Sequence, residues 1–125
     1  MAKTVLIVDD NEIIRRGLRE LFTAEPDFDM CGEAENGREA IEKAQELHPD
    51  LIVLDLSTPV MNGTDAARVL RKLRPTLPLI IFSEYSDALS EAEARSAGVS
   101  ALVSKSEHVS VLVAKARALL YPVAA

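Results

Sequence analysis

The chain has 125 residues, with 14 Lys+Arg against 20 Asp+Glu and a formal net charge of −6, and it shows no basic stripe of the kind a nucleic-acid-binding surface needs. Hydrophobic residues at 48% and charged residues at 27% fit an ordinary globular chain and exclude intrinsic disorder, a collagen-like repeat and a disulfide scaffold. The single cysteine, Cys31, can form no internal bridge and has no second thiolate with which to build a metal site, which suits a reducing compartment.

Taken in chain order, Thr4 to Val8 is a continuous apolar, β-branched run closed by Asp9 and Asp10, the pattern of a strand buried on both faces. It is too short for a signal-peptide core, and no apolar run approaches the ~18 residues of a membrane span, so a single cytoplasmic domain over residues 1–125 is expected. Asp10 and Asn11 can cap a helix whose apolar face is Ile13, Ile14, Leu18, Leu21 and Phe22, predicted over Glu12 to Ala24. Glu25-Pro26-Asp27 ends it. Phe28 to Ala34 reads as a second strand, and after the Glu35-Asn36-Gly37 turn a second helix carries Ala40, Ile41, Ala44 and Leu47 up to His48-Pro49.

The cycle then repeats. Leu51 to Leu54 is an apolar strand ending in Asp55, and the loop Ser57 to Gly63 leads into a helix marked by Ala66, Ala67, Leu70 and Leu73. Leu79 to Phe82 is the fourth strand, ending at Ser83. An Ala-rich helix with a weak apolar face follows from Ala88 to Ala97 and stops at Gly98. Ala101 to Ser104 is the fifth strand, ending at Lys105, and the last helix carries Val109, Leu112, Val113, Ala116, Leu119 and Leu120 before Pro122. Strands and helices in strict alternation imply a parallel sheet covered on both faces, an α/β fold whose strand order the pattern alone leaves open.

In open α/β sheets ligands bind beyond the carboxyl ends of the strands, and here four of the five ends carry functional groups: Asp9 and Asp10, Asp55, Ser83 and Lys105. Were the first and third strands neighbours, about 5 Å apart, three carboxylates would meet and their repulsion would call for a cation. Oxygen ligands without His or Cys favour Mg²⁺ over Zn²⁺. Each residue also has a plain reading. Asp10 or Asn11 can be a helix cap, Ser83 a cap for the fourth helix, and Lys105 a solvated charge. Their joint occurrence at successive strand ends favours the functional reading. His48 and His108 lack partners at metal spacing and are expected at the surface, Cys31 within the sheet, and Met61 packed in its loop.

Val8-Asp-Asp10, Leu54-Asp55-Leu-Ser-Thr-Pro59 with Met61-Asn-Gly63, Phe82-Ser83 and Val103-Ser-Lys105 together resemble the receiver domain of two-component response regulators, over essentially the whole chain. The stretches Glu25 to Phe28 and Gly32 to Gly37 further resemble receivers that precede helix-turn-helix output domains. The resemblance implies a flavodoxin-like (βα)5 fold, a doubly wound parallel five-stranded sheet of order 2-1-3-4-5. It implies that Asp55 is the phosphoacceptor, and that Asp10, Asp55 and the backbone carbonyl of Ser57 hold Mg²⁺ with Asp9 acting through water. Lys105 and the metal would neutralise the transferring oxygens, and Ser83 would bond the new phosphoryl group. The implied partners are a sensor histidine kinase or phosphotransfer protein, and an output domain or effector, with transcription the expected output. Direct contact of this domain with nucleic acid or membrane is not expected. A homodimer on activation fits the family, and the domain reads as a signalling module rather than an enzyme.

Several positions depart from the family pattern. Thr58 stands where Met usually precedes the loop proline. Glu84 follows Ser83 where a small residue is usual, and its charge beside the phosphoryl site predicts slow phosphorylation. Leu102 replaces a common Tyr or Phe, and Ser106 a common Pro that follows a cis bond, which for a non-proline would cost about 3 kcal/mol. These departures motivate an alternative, a degenerate receiver that binds protein without being phosphorylated. Two other classes fit less well. A haloacid-dehalogenase-like phosphatase wants a second Asp where Ser57 stands, and a flavodoxin wants a phosphate loop where two acids follow the first strand. Both a free-standing regulator and the front of a longer transcription factor are compatible with the residues up to Ala125.

Overall fold

Strands that are apolar throughout need helices on both faces, and the chain supplies them by alternating the two. The computed structural model describes residues 2–56, 60–84 and 88–121, with residues 88–91 described by their backbone alone. Its elements are β1 (Lys3–Val8), α1 (Glu12–Thr23), β2 (Phe28–Ala34), α2 (Gly37–Leu47), β3 (Leu51–Leu54), α3 (Gly63–Leu73), β4 (Leu79–Ser83), α4 (Ala88–Ser96), β5 (Ala101–Ser104) and α5 (Val109–Leu120). The strands form one parallel sheet of order β2-β1-β3-β4-β5, the flavodoxin-like arrangement that the resemblance implied.

Side chains alternate across the sheet and so divide the core in two. Leu6, Val8, Ile52, Leu54, Leu79 and Ile81 face α2, α3 and α4 through Ala40, Ala44, Ala67, Leu70 and Ala94. Val5, Ile7, Leu51, Val53, Ile80 and Phe82 face α1 and α5 through Leu18, Phe22, Leu112 and Ala116. Ala94 of α4 is buried on this face, and an alanine buries little side chain, which accords with the weak apolar signal of that helix. Among the described residues no helix is long and apolar enough to cross a membrane.

Asparagines start three of the helices. The side chain of Asn11 accepts from the Ile13 and Ile14 amides, that of Asn36 from Glu39, and that of Asn62 from Asp65. Each such cap satisfies backbone donors that the helix cannot, and its loss costs about 1 kcal/mol. His108 caps α5 through its ring Nδ1 and is exposed, as is His48, which ends α2 in the left-handed region at φ 49°. Cys31 lies in β2, where the pairing with β1 skips one residue between Val5 and Leu6.

The helix ends differ from the predicted ones by one residue, Ala24 being the C-cap of α1 and Ala97 lying in the turn after α4. Ile13 departs further. Expected on the apolar face, it is 81% exposed, because Ile13 and Ile14 point about 100° apart on a helix and only Ile14 turns toward the sheet.

Candidate functional site

The sheet order places β1 beside β3, with Val8 opposite Leu54, so the residues after them leave the sheet together. The Asp55 amide continues the ladder by donating to the Val8 carbonyl at 2.9 Å. As a result one carboxylate oxygen from each of Asp9, Asp10 and Asp55 falls within 4.8 Å of the others. Asp9 and Asp55 are buried at 2% and 6% exposure, whereas Asp10 faces solvent. Carboxylates this close repel one another, and a cation among them would relieve that repulsion.

Asp9 is held from four sides. Its amide donates to the Ala34 carbonyl at 3.0 Å and its carbonyl accepts from Arg15 Nη1 at 2.6 Å. Of its carboxylate oxygens, Oδ1 accepts from the Asn11 amide at 2.9 Å and Oδ2 from Lys105 Nζ at 3.0 Å. Lys105 arrives from the far side of the sheet because its amide bonds the Ser83 carbonyl at 2.7 Å. Its Nζ lies 3.7 Å from Asp55 and 5.9 Å from the centre of the Phe82 ring. Burial alone would push this ammonium down, but the hydrogen bond and charge of Asp9, with the fields of Asp55 and Glu84, outweigh it and hold the pKa above the usual lysine value.

A cavity of about 350 Å³ opens among these groups, lined by the three aspartates, Asn11, Ile14, Ser83, Glu84 and Lys105. Ser83 is buried at 1% exposure and Glu84 is exposed. Among the described residues the cavity thus holds four carboxylates against one ammonium. The start of α3 lies close against the end of β3, the Gly63 amide donating to the Leu56 carbonyl at 3.0 Å, and two glycines allow such close approaches. A Cβ on Gly63 would stand 2.5 Å from the Asp55 carbonyl oxygen, and one on Gly37 2.5 Å from that of Met61, which accepts the Gly37 amide. Val60 in the same loop has φ 69°, a region that β-branched residues rarely occupy and that costs of order 1–3 kcal/mol.

The site residues expected from sequence therefore meet: Asp9, Asp10, Asp55, Ser83 and Lys105 share one cavity. Ser57, whose carbonyl the resemblance assigned to the metal, lies outside the described residues, as does Thr58. The peptide before Ser106 is trans, and the Ser106 amide and hydroxyl both bond Ser104 Oγ, so the serine closes a turn where the family often has proline. Leu102 is half-buried against the core on the α4 side. Two features had no sequence signal: the preference of Lys105 for Asp9 over Asp55, and the contact of Arg15 with the Asp9 carbonyl.

The family model for the response regulator receiver domain matches residues 5–117. The chain belongs to the response regulator receiver family. Chemotaxis protein CheY from Thermotoga maritima is 39% identical over 105 residues, which cover 84% of this chain and 87% of that protein. Protein-glutamate methylesterase/protein-glutamine glutaminase from Nocardioides sp. is 37% identical over 107 residues, again 84% of this receiver. The receiver spans only 29% of that methylesterase and 24% of its counterpart from Pyrococcus abyssi. Among solved structures, a two-component response regulator of the LuxR family from Aurantimonas sp. superposes with a TM-score of 0.92 at 31% identity, covering 96% of this chain and 86% of that one. Receiver domains bind Mg²⁺ through an acidic pocket, and the oxygen-only donor set of Asp9, Asp10 and Asp55 suits a hard cation of this kind.

Proposed function

We propose that this receiver accepts a phosphoryl group on Asp55 from the phosphohistidine of a sensor histidine kinase or phosphotransfer protein. In the transfer an Asp55 carboxylate oxygen forms the new bond to phosphorus while the phosphorus–nitrogen bond breaks, its electron pair returning to the imidazole. A dianionic phosphoryl group approaching a carboxylate meets strong repulsion, so positive charge at the transferring oxygens is the main requirement. Lys105 provides it from one side. Asp9, Asp10 and Asp55, with the Ser57 carbonyl that the resemblance implies, would hold Mg²⁺, which would supply the remaining positive charge. Asp9 orients Lys105, and the Ser83 hydroxyl bonds the phosphoryl oxygens once they are in place, coupling the new charge to the segment between β4 and α4.

The observation that carries this reading is the buried Asp55 carboxylate, with Lys105 Nζ at 3.7 Å and two further acids at ligand spacing. Incubation with acetyl phosphate and Mg²⁺, followed by intact mass, tests it: the chain gains one phosphoryl group, and Asp55→Asn gains none. The phosphorylated domain acts as a switch for an output domain or effector, with transcription the favoured output and homodimerisation a route to it. The domain works as a signalling module and not as an enzyme in its own right.

A further inference from the structure

Arg15 does not line the cavity, yet it grips the backbone behind it. Its side chain is only 11% exposed, and its guanidinium reaches three partners from three different segments. Nη1 donates to the Asp9 carbonyl at 2.6 Å, Nε to Glu33 Oε1 at 3.2 Å, and Nη2 lies 3.8 Å from Glu35 Oε1. Glu33 is held in turn by Arg19 from the next turn of α1, and as part of β2 it sits in register with Ile7 of β1. The charge of Arg15 is thus matched by two carboxylates, and what it gives Asp9 is direction more than field. The carbonyl it holds belongs to the peptide that joins Asp9 to Asp10, whose two side chains would otherwise relax apart under mutual repulsion.

Resting on the reading of the acidic pocket as a Mg²⁺ site, we infer that Arg15 is a positioning residue for that site, fixing the Asp9–Asp10 peptide so that both carboxylates stand at ligand spacing before the cation arrives. A lysine in its place keeps the charge but cannot reach the three acceptors at once, since the task needs a planar fork. Partners one step removed from a metal commonly set its affinity by tenfold or more.

The test is titration of the metal-free protein with MgCl2 by calorimetry, without phosphodonor, beside thermal unfolding of the same samples. Arg15→Lys and Arg15→Gln are each expected to weaken Mg²⁺ binding about tenfold. Arg117→Lys, which disturbs an ion pair away from the cavity, is expected to lower the melting temperature and leave Mg²⁺ affinity unchanged. Wild-type affinity in Arg15→Lys, or equal weakening in Arg117→Lys, overturns the inference. Absence of Mg²⁺ binding by the wild-type chain overturns the pocket reading itself, and this inference with it.

Discussion

Two ionic clusters lie at opposite ends of the sheet and are built differently. At the amino end Arg117 makes a bidentate pair with Asp27 at 2.8 and 3.1 Å, reaches Glu25 at 3.2 Å and lies over the Phe28 ring. Tyr121 closes the group by donating to the Asp27 carbonyl at 2.7 Å. At the carboxyl end four carboxylates share a cavity with one ammonium, and two of the four are almost completely buried. The first cluster answers its cation within the chain and ties α5 to the start of β2. Among the described residues that line the second, carboxylates outnumber ammonium groups four to one. Partly exposed carboxylates that share a guanidinium serve cohesion, whereas carboxylates buried together mark where a cation and a reacting group belong.

Removing the ammonium is the severest way to break this contrast short of removing Asp55. Lys105→Met is expected to slow labelling by acetyl phosphate about a hundredfold, as loss of one preorganised electrostatic partner commonly does. Initial rates by intact mass check it, and a loss below threefold contradicts the role. Glu84→Gln acts in the other direction. Neutralising the exposed fourth carboxylate is expected to raise the labelling rate about threefold at low ionic strength, with the gain shrinking as salt screens the charge. Equal rates for the two chains would show that Glu84 does not hinder the donor.

The amino-end cluster offers the smallest effect and a different pH signature. Arg117→Lys loses the bidentate geometry and is expected to lower the melting temperature by about 3 °C at neutral pH without altering labelling. The hydrogen bond from Arg117 holds the Asp27 carboxyl below its usual value. Stability from a depressed carboxyl is present above its unfolded pKa of about 3.9 and is lost as pH falls through the lower folded value. The gap in melting temperature between wild type and variant should therefore close as pH drops below about 4. A gap constant down to pH 2 would contradict the pairing.

The carboxyl-end cluster is readable in the sequence because its members fall within two residues of the ends of apolar runs, where the change from apolar to polar residues marks the end of a strand. That β1 and β3 are neighbours is not readable from periodicity, which says that strands are buried and not beside what. It came from the likeness of the motifs to a family. Ile13 shows a second limit: two adjacent apolar residues at the start of a helix cannot both face the sheet, and only packing decides which does. Arg15 shows a third. An arginine early in an amphipathic helix has the pattern of a solvated charge, and its value lies in a backbone carbonyl six residues earlier, on a group that composition and spacing do not describe.

Peptide mapping of the chain after incubation with acetyl phosphate and Mg²⁺ tests the central claim most directly. A single phosphoryl group is expected on the peptide that contains Asp55, dependent on Mg²⁺ and absent from Asp55→Asn. A phosphoryl group found on another residue, or a wild-type chain that stays unlabelled under saturating donor and metal, would contradict it.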